Sequence, residues 1–114
     1  MANLQSYPAP PGNKPIVIAN VTGPSSYTQV SNGTPPTGGQ SLKASDYGLS
    51  AIEYGDGGLS DNGQYAVQVI IPGNPIQSPV QTAILRWTVA ATGAEVSGAT
   101  NLSGRTARVL LWST

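Results

Sequence analysis

Two stretches of the chain alternate apolar and polar residues with the two-residue period of a strand that is buried on one face. In QYAVQVIIPG the residues of one face are apolar or aromatic, namely Tyr65, Val67, Val69 and Ile71. In VQTAILRWTVAAT the corresponding face consists of Ala83, Leu85, Trp87 and Val89. The pattern predicts two half-buried strands and places the Trp87 ring in the core.

Several other segments have the length and composition of strands. PIVIANVTG is a β-branched run, and the short segment SYTQV follows it after a Gly-Pro break. The set is completed by SLKASD, LSAIEY and RTARVLLWST. The last of these has apolar residues on both of its faces. About seven short strands predict an all-β domain, a small antiparallel sandwich or barrel.

Glycine and proline mark the connections and the domain boundary. SNGTPPTGGQ, residues 31–40, predicts an exposed loop, and the Asp-Gly and Asn-Gly pairs of YGDGGLSDNGQY predict tight turns. The first fifteen residues contain four prolines and no apolar period. Residues 1–14 are therefore expected to form an extended N-terminal arm, and residues 15–114 a single β domain.

Composition narrows the classes of function. Only 9% of the 114 residues are charged, the net charge is zero, and histidine and cysteine are absent. The commonest general base and the thiolate chemistries are therefore missing, and no basic stripe exists for a nucleic-acid backbone. No apolar run is long enough to span a membrane, and the N-terminus lacks the features of a signal peptide. We expect a protein that is not an enzyme, has no cofactor and binds neither nucleic acid nor membrane.

The stretch KASDYGLSAIEYGDGGLSDNG holds four of the five carboxylates: Asp46, Glu53, Asp56 and Asp61. Two such groups suffice for glycoside hydrolysis, and several could bind calcium. The favoured interpretation is structural, because Asp next to Gly commonly bonds backbone N–H groups in turns. A calcium loop and a catalytic pair stay open as alternatives.

The segments VTGPSSYTQV, GGQSLKASDYGLSAIEY and VLLWST are similar to those of small structural proteins of tailed-bacteriophage heads. The shared pattern falls on residues 21–27, 38–44 and 48–53. The resemblance implies a virion component made in the host cytoplasm, a head decoration (cement) or minor capsid protein. Such a protein binds the major capsid protein at the capsid surface, and many are trimers.

Two sets of contact residues follow from the patterns. The apolar run VLLW has side chains on both faces, so Leu110 and Trp112 are candidates for a subunit interface. The proline-rich arm is a candidate for attachment to the capsid, through Tyr7, Pro8, Pro10, Pro11 and Lys14.

The alternative function is a carbohydrate- or receptor-binding tip domain of a tail fibre, because exposed aromatic rings stack well on sugars.

Overall fold

The structure is a computed structural model that describes the backbone of residues 3–7 and, with side chains, residues 15–73 and 78–113. The strands are β1 (Asn3–Tyr7), β2 (Ile16–Thr22), β3 (Gln40–Lys43), β4 (Ile52–Ser60), β5 (Tyr65–Ile70), β6 (Thr82–Val89) and β7 (Thr106–Ser113). They form one antiparallel sheet in the order β1-β2-β7-β4-β5-β6-β3, which curls into half of a barrel. The all-β prediction is confirmed, whereas a sandwich is not. The described residues contain no helix with the length and hydropathy of a membrane span.

One half of the sheet is built on the pairing of β2 with β7. Val17, Ala19 and Val21 point into the core, and the register sets Ala19 opposite Val109 and Val21 opposite Ala107. The inward positions of both strands are small or β-branched, which suits close cross-strand packing. The strand predicted in PIVIANVTG is confirmed.

The other half is built on the β5–β6 hairpin, in which Val67 lies opposite Trp87. The predicted strand phases are confirmed, because Val67, Leu85 and Trp87 are buried and the Trp87 side chain is 0% exposed. Ile84 departs from the simple alternation, since it is buried although it points to the opposite face. Val30 and the backbone of Gly39 cover that face: a Cβ added at Gly39 would lie 2.5 Å from Ile84 Cγ2.

The curl of the sheet occurs where β5 passes over the inward face of β4. A Cβ added at Gly55 would lie 2.5 Å from Val69 Cγ1, and one added at Gly57 would lie 2.2 Å from the Val67 carbonyl oxygen. Only glycine allows a backbone to approach this closely. The tight turn predicted at the Asp-Gly pair is therefore wrong, because Asp56 and Gly57 lie inside β4. The Asn-Gly pair does form a turn, and Gly63 has φ 73° there.

Two further segments differ from the predictions. Residues 26–30, predicted as a short strand, lie outside the strands because their contacts are made by side chains and single backbone bonds. The strand predicted in SLKASD ends at Lys43 and continues as a 3₁₀ helix, Ala44–Tyr47, which Gly48 closes with φ 73°. A straight strand would send the side chains of Ala44 and Tyr47 to opposite faces, because they are three positions apart. Both are buried in the core, and the 3₁₀ helix makes this possible.

The close approach of β5 to β4 predicts opposite outcomes for two adjacent glycines. Gly57→Ala must displace a backbone carbonyl and should lower the free energy of unfolding by about 1–3 kcal/mol or more. Gly58→Ala is the matched control, because its Cβ would meet Arg108 oxygen at an ordinary 3.8 Å. Urea denaturation of both variants measures the difference. Equal stability of the two variants would show that β5 does not cross β4 at this point.

Candidate functional site

The acidic stretch is distributed over three elements. Asp46 lies in the 3₁₀ helix, Glu53 and Asp56 in β4, and Asp61 in the turn after it. Asp56 Oδ1 accepts a bond from the Gly57 N–H at 3.1 Å, and Asp61 Oδ1 accepts one from the Thr106 N–H at 3.4 Å. Over residues 15–73 and 78–113, no three such groups come together as a metal site would require. These contacts support the structural interpretation of Asp56 and Asp61.

The remaining carboxylate, Glu95, is the one that the fold brings into the interior. It follows the turn after β6 and forms an isolated bridge with Thr88. Its Oε2 accepts hydrogen bonds from the Tyr27 hydroxyl and the Val30 N–H, both at 2.7 Å, and its side chain is only 15% exposed. Two donors on one oxygen hold the carboxylate in a fixed position.

The Tyr27 hydroxyl completes the hydrogen bonding along the edge of β6. It accepts a hydrogen bond from the Trp87 N–H at 3.2 Å. On one side of this bond the β3 ladder ends at Gln40, and on the other side the Val96 N–H donates to the Trp87 carbonyl. Trp87 Nε1 in turn donates to Gln40 Oε1 at 2.8 Å. A side chain thus satisfies a buried backbone donor that no neighbouring strand reaches.

Burial raises the pKa of the Tyr27 phenol to about 12. The hydrogen bond from the Trp87 N–H opposes the increase, and the Glu95 carboxylate adds to it. The phenol therefore stays protonated over the whole physiological range, as its donation to Glu95 requires. Sequence analysis missed this pair, because 68 positions separate the two residues and neither belongs to a motif.

The loop around residues 30–36 stands above the outward face of β5 and β6 and forms an open groove of about 520 Å³, here called the loop groove. Arg86 and Glu95 lie in it with Arg86 Nε 3.9 Å from Glu95 Oε1. Among the described residues, the polar partner of the Arg86 guanidinium is the Glu95 carboxylate. The remaining donors of the guanidinium face the groove together with the exposed Gln68 side chain.

A second groove of about 250 Å³, here called the split groove, lies where β5 crosses β4. The β4–β5 ladder consists of the pair Leu59 and Ala66, so regular backbone pairing ends there although β5 still packs on Gly55 and Gly57. Tyr54 and Asp56 line the β4 side of the split groove, and Gln68 lines the β5 side. Gln68 and Ile71 line both grooves, so the two are adjacent.

The subunit-interface candidates lie together on the outward face of the other half of the sheet. Leu110 and Trp112 are half-buried there, opposite Ile18 and Ile16 of β2. The Trp112 ring contacts Tyr54, with 4.8 Å between ring centroids and 52° between planes. Trp112 therefore contributes to an outward apolar surface, unlike Trp87.

The capsid-contact candidates are mostly beyond the described part of the chain. Pro8, Pro10, Pro11 and Lys14 lie outside the described residues. The backbone of Tyr7 ends β1, where it pairs with Ile16 at the edge of the sheet. A separate extended arm is thus not confirmed, because residues 3–7 form an edge strand of the domain itself.

Comparison with known proteins adds no relative from which a function could be transferred. No protein-family model, curated protein or solved structure matches the chain. Its function must be argued from its own residues.

Removing the Tyr27 hydroxyl should destabilise the fold. Tyr27→Phe leaves the buried Trp87 N–H unpaired and takes one donor from Glu95, which should cost about 1–3 kcal/mol of unfolding free energy. Tyr54→Phe is the control, because that ring is 52% exposed. Urea denaturation compares the two. A Tyr27→Phe protein as stable as the control would contradict the role of this hydroxyl.

The raised pKa of Tyr27 also predicts a specific pH dependence. The folded state favours the neutral phenol, so its contribution is complete below the ordinary pKa of 10 and declines as the pH rises toward about 12. Wild-type stability should fall more steeply than that of Tyr27→Phe over this window. Parallel curves from thermal unfolding at stepped pH values would contradict the assignment, since the other tyrosines are common to both proteins.

The structural interpretation of Asp56 predicts that calcium has no effect. Asp56→Asn should change stability by no more than about 0.5 kcal/mol, because the residue is exposed and an amide oxygen also accepts the Gly57 bond. Excess calcium should leave the melting temperature of both proteins unchanged. A calcium-dependent increase in wild type that disappears in Asp56→Asn would establish a metal loop instead.

Proposed function

We propose that the chain is a structural protein of a tailed-bacteriophage virion, a head decoration (cement) protein that binds the major capsid protein and stabilises the capsid surface. The similarity at residues 21–27, 38–44 and 48–53 to phage head proteins supports this proposal. The all-β fold and the polar, nearly uncharged composition are consistent with it. The same proposal includes the closure of about seven strands into a sandwich or barrel. It also includes an extended arm that consists of residues 1–14.

The observation that carries the proposal is the outer apolar face, defined as Ile16, Ile18, Leu110 and Trp112. These side chains are adjacent by register and lie opposite the buried side of the same strands. An antiparallel sheet in an isolated domain usually has one solvated, polar face. An apolar cluster on the second face therefore favours a protein partner.

We propose a second copy of the chain as the occupant of the outer apolar face, within a homotrimer. Two charges of opposite sign flank the apolar residues: Asp56 lies beside Leu110 on β4, and Arg108 lies two residues along β7. Arg108 is exposed, with its Nε bonded to Asn20 Oδ1 at 3.1 Å. A surface that carries both a cation and an anion around an apolar centre can form ion pairs with oppositely charged groups of a second copy while its apolar residues are buried.

Attachment to the capsid is assigned to the N-terminal region, with Tyr7, Pro8, Pro10, Pro11 and Lys14 as contact residues. β1 supports this assignment as the terminal strand of the sheet order, since an edge strand offers backbone groups to a neighbouring protein. Catalysis, cofactors, nucleic acid and membranes have no part in the proposed role. The protein is made in the host cytoplasm and resides at the capsid surface.

A tail-fibre tip that binds carbohydrate or a receptor is the second candidate. The adjacent loop and split grooves favour it, because they combine polar side chains with the exposed Tyr54 ring. The two candidates differ in location on the virion and in the partner that each requires.

The location can be tested on the phage that encodes the chain. Mass spectrometry of separated heads and tails should find the protein in stoichiometric amounts on heads. Its recovery with tails alone would overturn the decoration proposal and favour the fibre tip. Deletion of residues 2–13 removes β1 and should reduce binding to heads while the other strands stay folded. Unchanged occupancy would remove the attachment role of this region, and an unfolded truncation would show instead that the region belongs to the domain.

The interface can be tested on the isolated protein and on heads. Light scattering of the wild type at micromolar concentration should give a trimer mass, and Leu110→Glu should shift it to a monomer. Leu59→Glu is the matched control, because Leu59 is 61% exposed on β4 and should leave the mass unchanged. A wild-type monomer whose occupancy on heads is unaffected by Leu110→Glu would overturn the proposed interface.

A further inference from the structure

The loop groove and the split groove lie next to each other, and Gln68 on the outward side of β5 lines both of them. One end holds the Arg86–Glu95 pair, and the other end holds Tyr54 and Asp56. The exposed Gln68 amide lies between the ends and offers two donors and one acceptor oxygen. The Tyr54 and Asp56 end adjoins the outer apolar face, because Tyr54 contacts Trp112 and Asp56 lies opposite Leu110 in the register.

The Arg86–Glu95 end is rigidly supported from below. Glu95 Oε2 is occupied by the Tyr27 hydroxyl and the Val30 N–H, which leaves Oε1 as the oxygen nearer to Arg86. The 3.9 Å separation of Arg86 Nε from Oε1 is longer than a hydrogen bond, so both groups retain capacity for a third partner. A donor and an acceptor are thus presented side by side on a fixed scaffold.

The opposite end combines an aromatic ring with a carboxylate. The Tyr54 ring is 52% exposed and is held in place by its contact with Trp112. Asp56 is the next residue on the same outward face of β4, two positions along the strand. An aromatic surface beside an acceptor fits a ligand with both an apolar face and hydroxyl groups.

We infer that the two adjacent grooves together bind a neutral oligosaccharide, with one subsite at Arg86 and Glu95 and another at Tyr54 and Asp56. A sugar hydroxyl both donates and accepts, so a single hydroxyl, or two adjacent ones, can bond to Glu95 Oε1 and to the Arg86 guanidinium together. Gln68 bonds to the hydroxyls between the subsites. The Asp56 carboxylate disfavours a sialylated or sulfated sugar at its end through like-charge repulsion, and at the other end the charge of Glu95 balances that of Arg86.

The binding test uses the full chain and short linear oligosaccharides of glucose, galactose, mannose and N-acetylglucosamine, together with one sialylated and one sulfated oligosaccharide. All are titrated by calorimetry and by tryptophan fluorescence. Saturable binding of at least one neutral probe is expected. The fluorescence change should come from Trp112, which contacts Tyr54, whereas Trp87 is buried and should not respond. Trp112→Phe should therefore remove the fluorescence response while calorimetry still detects binding.

Two groove variants and a control locate the site. Tyr54→Ala and Gln68→Ala should each weaken binding by about tenfold, with melting temperatures close to that of wild type. Leu59→Ala changes an exposed residue of β4 that lines neither groove, and should leave the affinity unchanged. Each variant alters an exposed side chain, so loss of binding is distinguishable from loss of fold.

Three results would overturn the inference. They are the absence of saturable binding by every neutral probe, an affinity unaltered in both groove variants, and a preference for sialylated or sulfated probes. None of them bears on the copurification of the protein with heads, so the glycan site and the capsid role fail separately.

Discussion

The close passage of the β5 backbone over β4 is the constraint on which the rest of the structure depends. Gly55 and Gly57 leave no Cβ between the two strands, so Val67 and Val69 pack directly on the β4 backbone. This contact bends the sheet and brings the β5–β6 hairpin over the inner faces of β2 and β7. Without the bend, Trp87 and Leu111 could not belong to one core, and a flat sheet would expose its apolar face on both halves.

The same passage creates the binding surface. Strands that cross at an angle cannot continue their ladder, so the backbone pairing of β4 and β5 ends at the Leu59–Ala66 pair and the split groove lies beside their crossing. Packing and site formation therefore have a common cause. A change that relaxed the curl would close the split groove as well as disturb the core.

The Tyr27–Glu95 hydrogen bond links the loop that follows β2 to the edge of β6. Burying a phenol and a carboxylate is costly, and the cost is offset because each polar atom has a partner: the Trp87 N–H, the Val30 N–H or the other member of the pair. The network replaces backbone pairing where β3 ends, and it fixes Glu95 beneath the loop groove. The polar network that satisfies the backbone donor at the edge of the sheet thus also positions Glu95, a charged group of the proposed glycan site.

The sequence by itself determined the all-β class and the inward faces of β5 and β6. It also determined the burial of Trp87. Alternation is a local property, and each of these strands has one face that must leave water. The fold alone decided that Asp56 and Gly57 continue β4, because the passing β5 backbone, and not the Asp-Gly pair, sets their conformation. Glu95 and the grooves likewise could not be read from the chain, since their partners are brought together over 60 or more positions by tertiary packing.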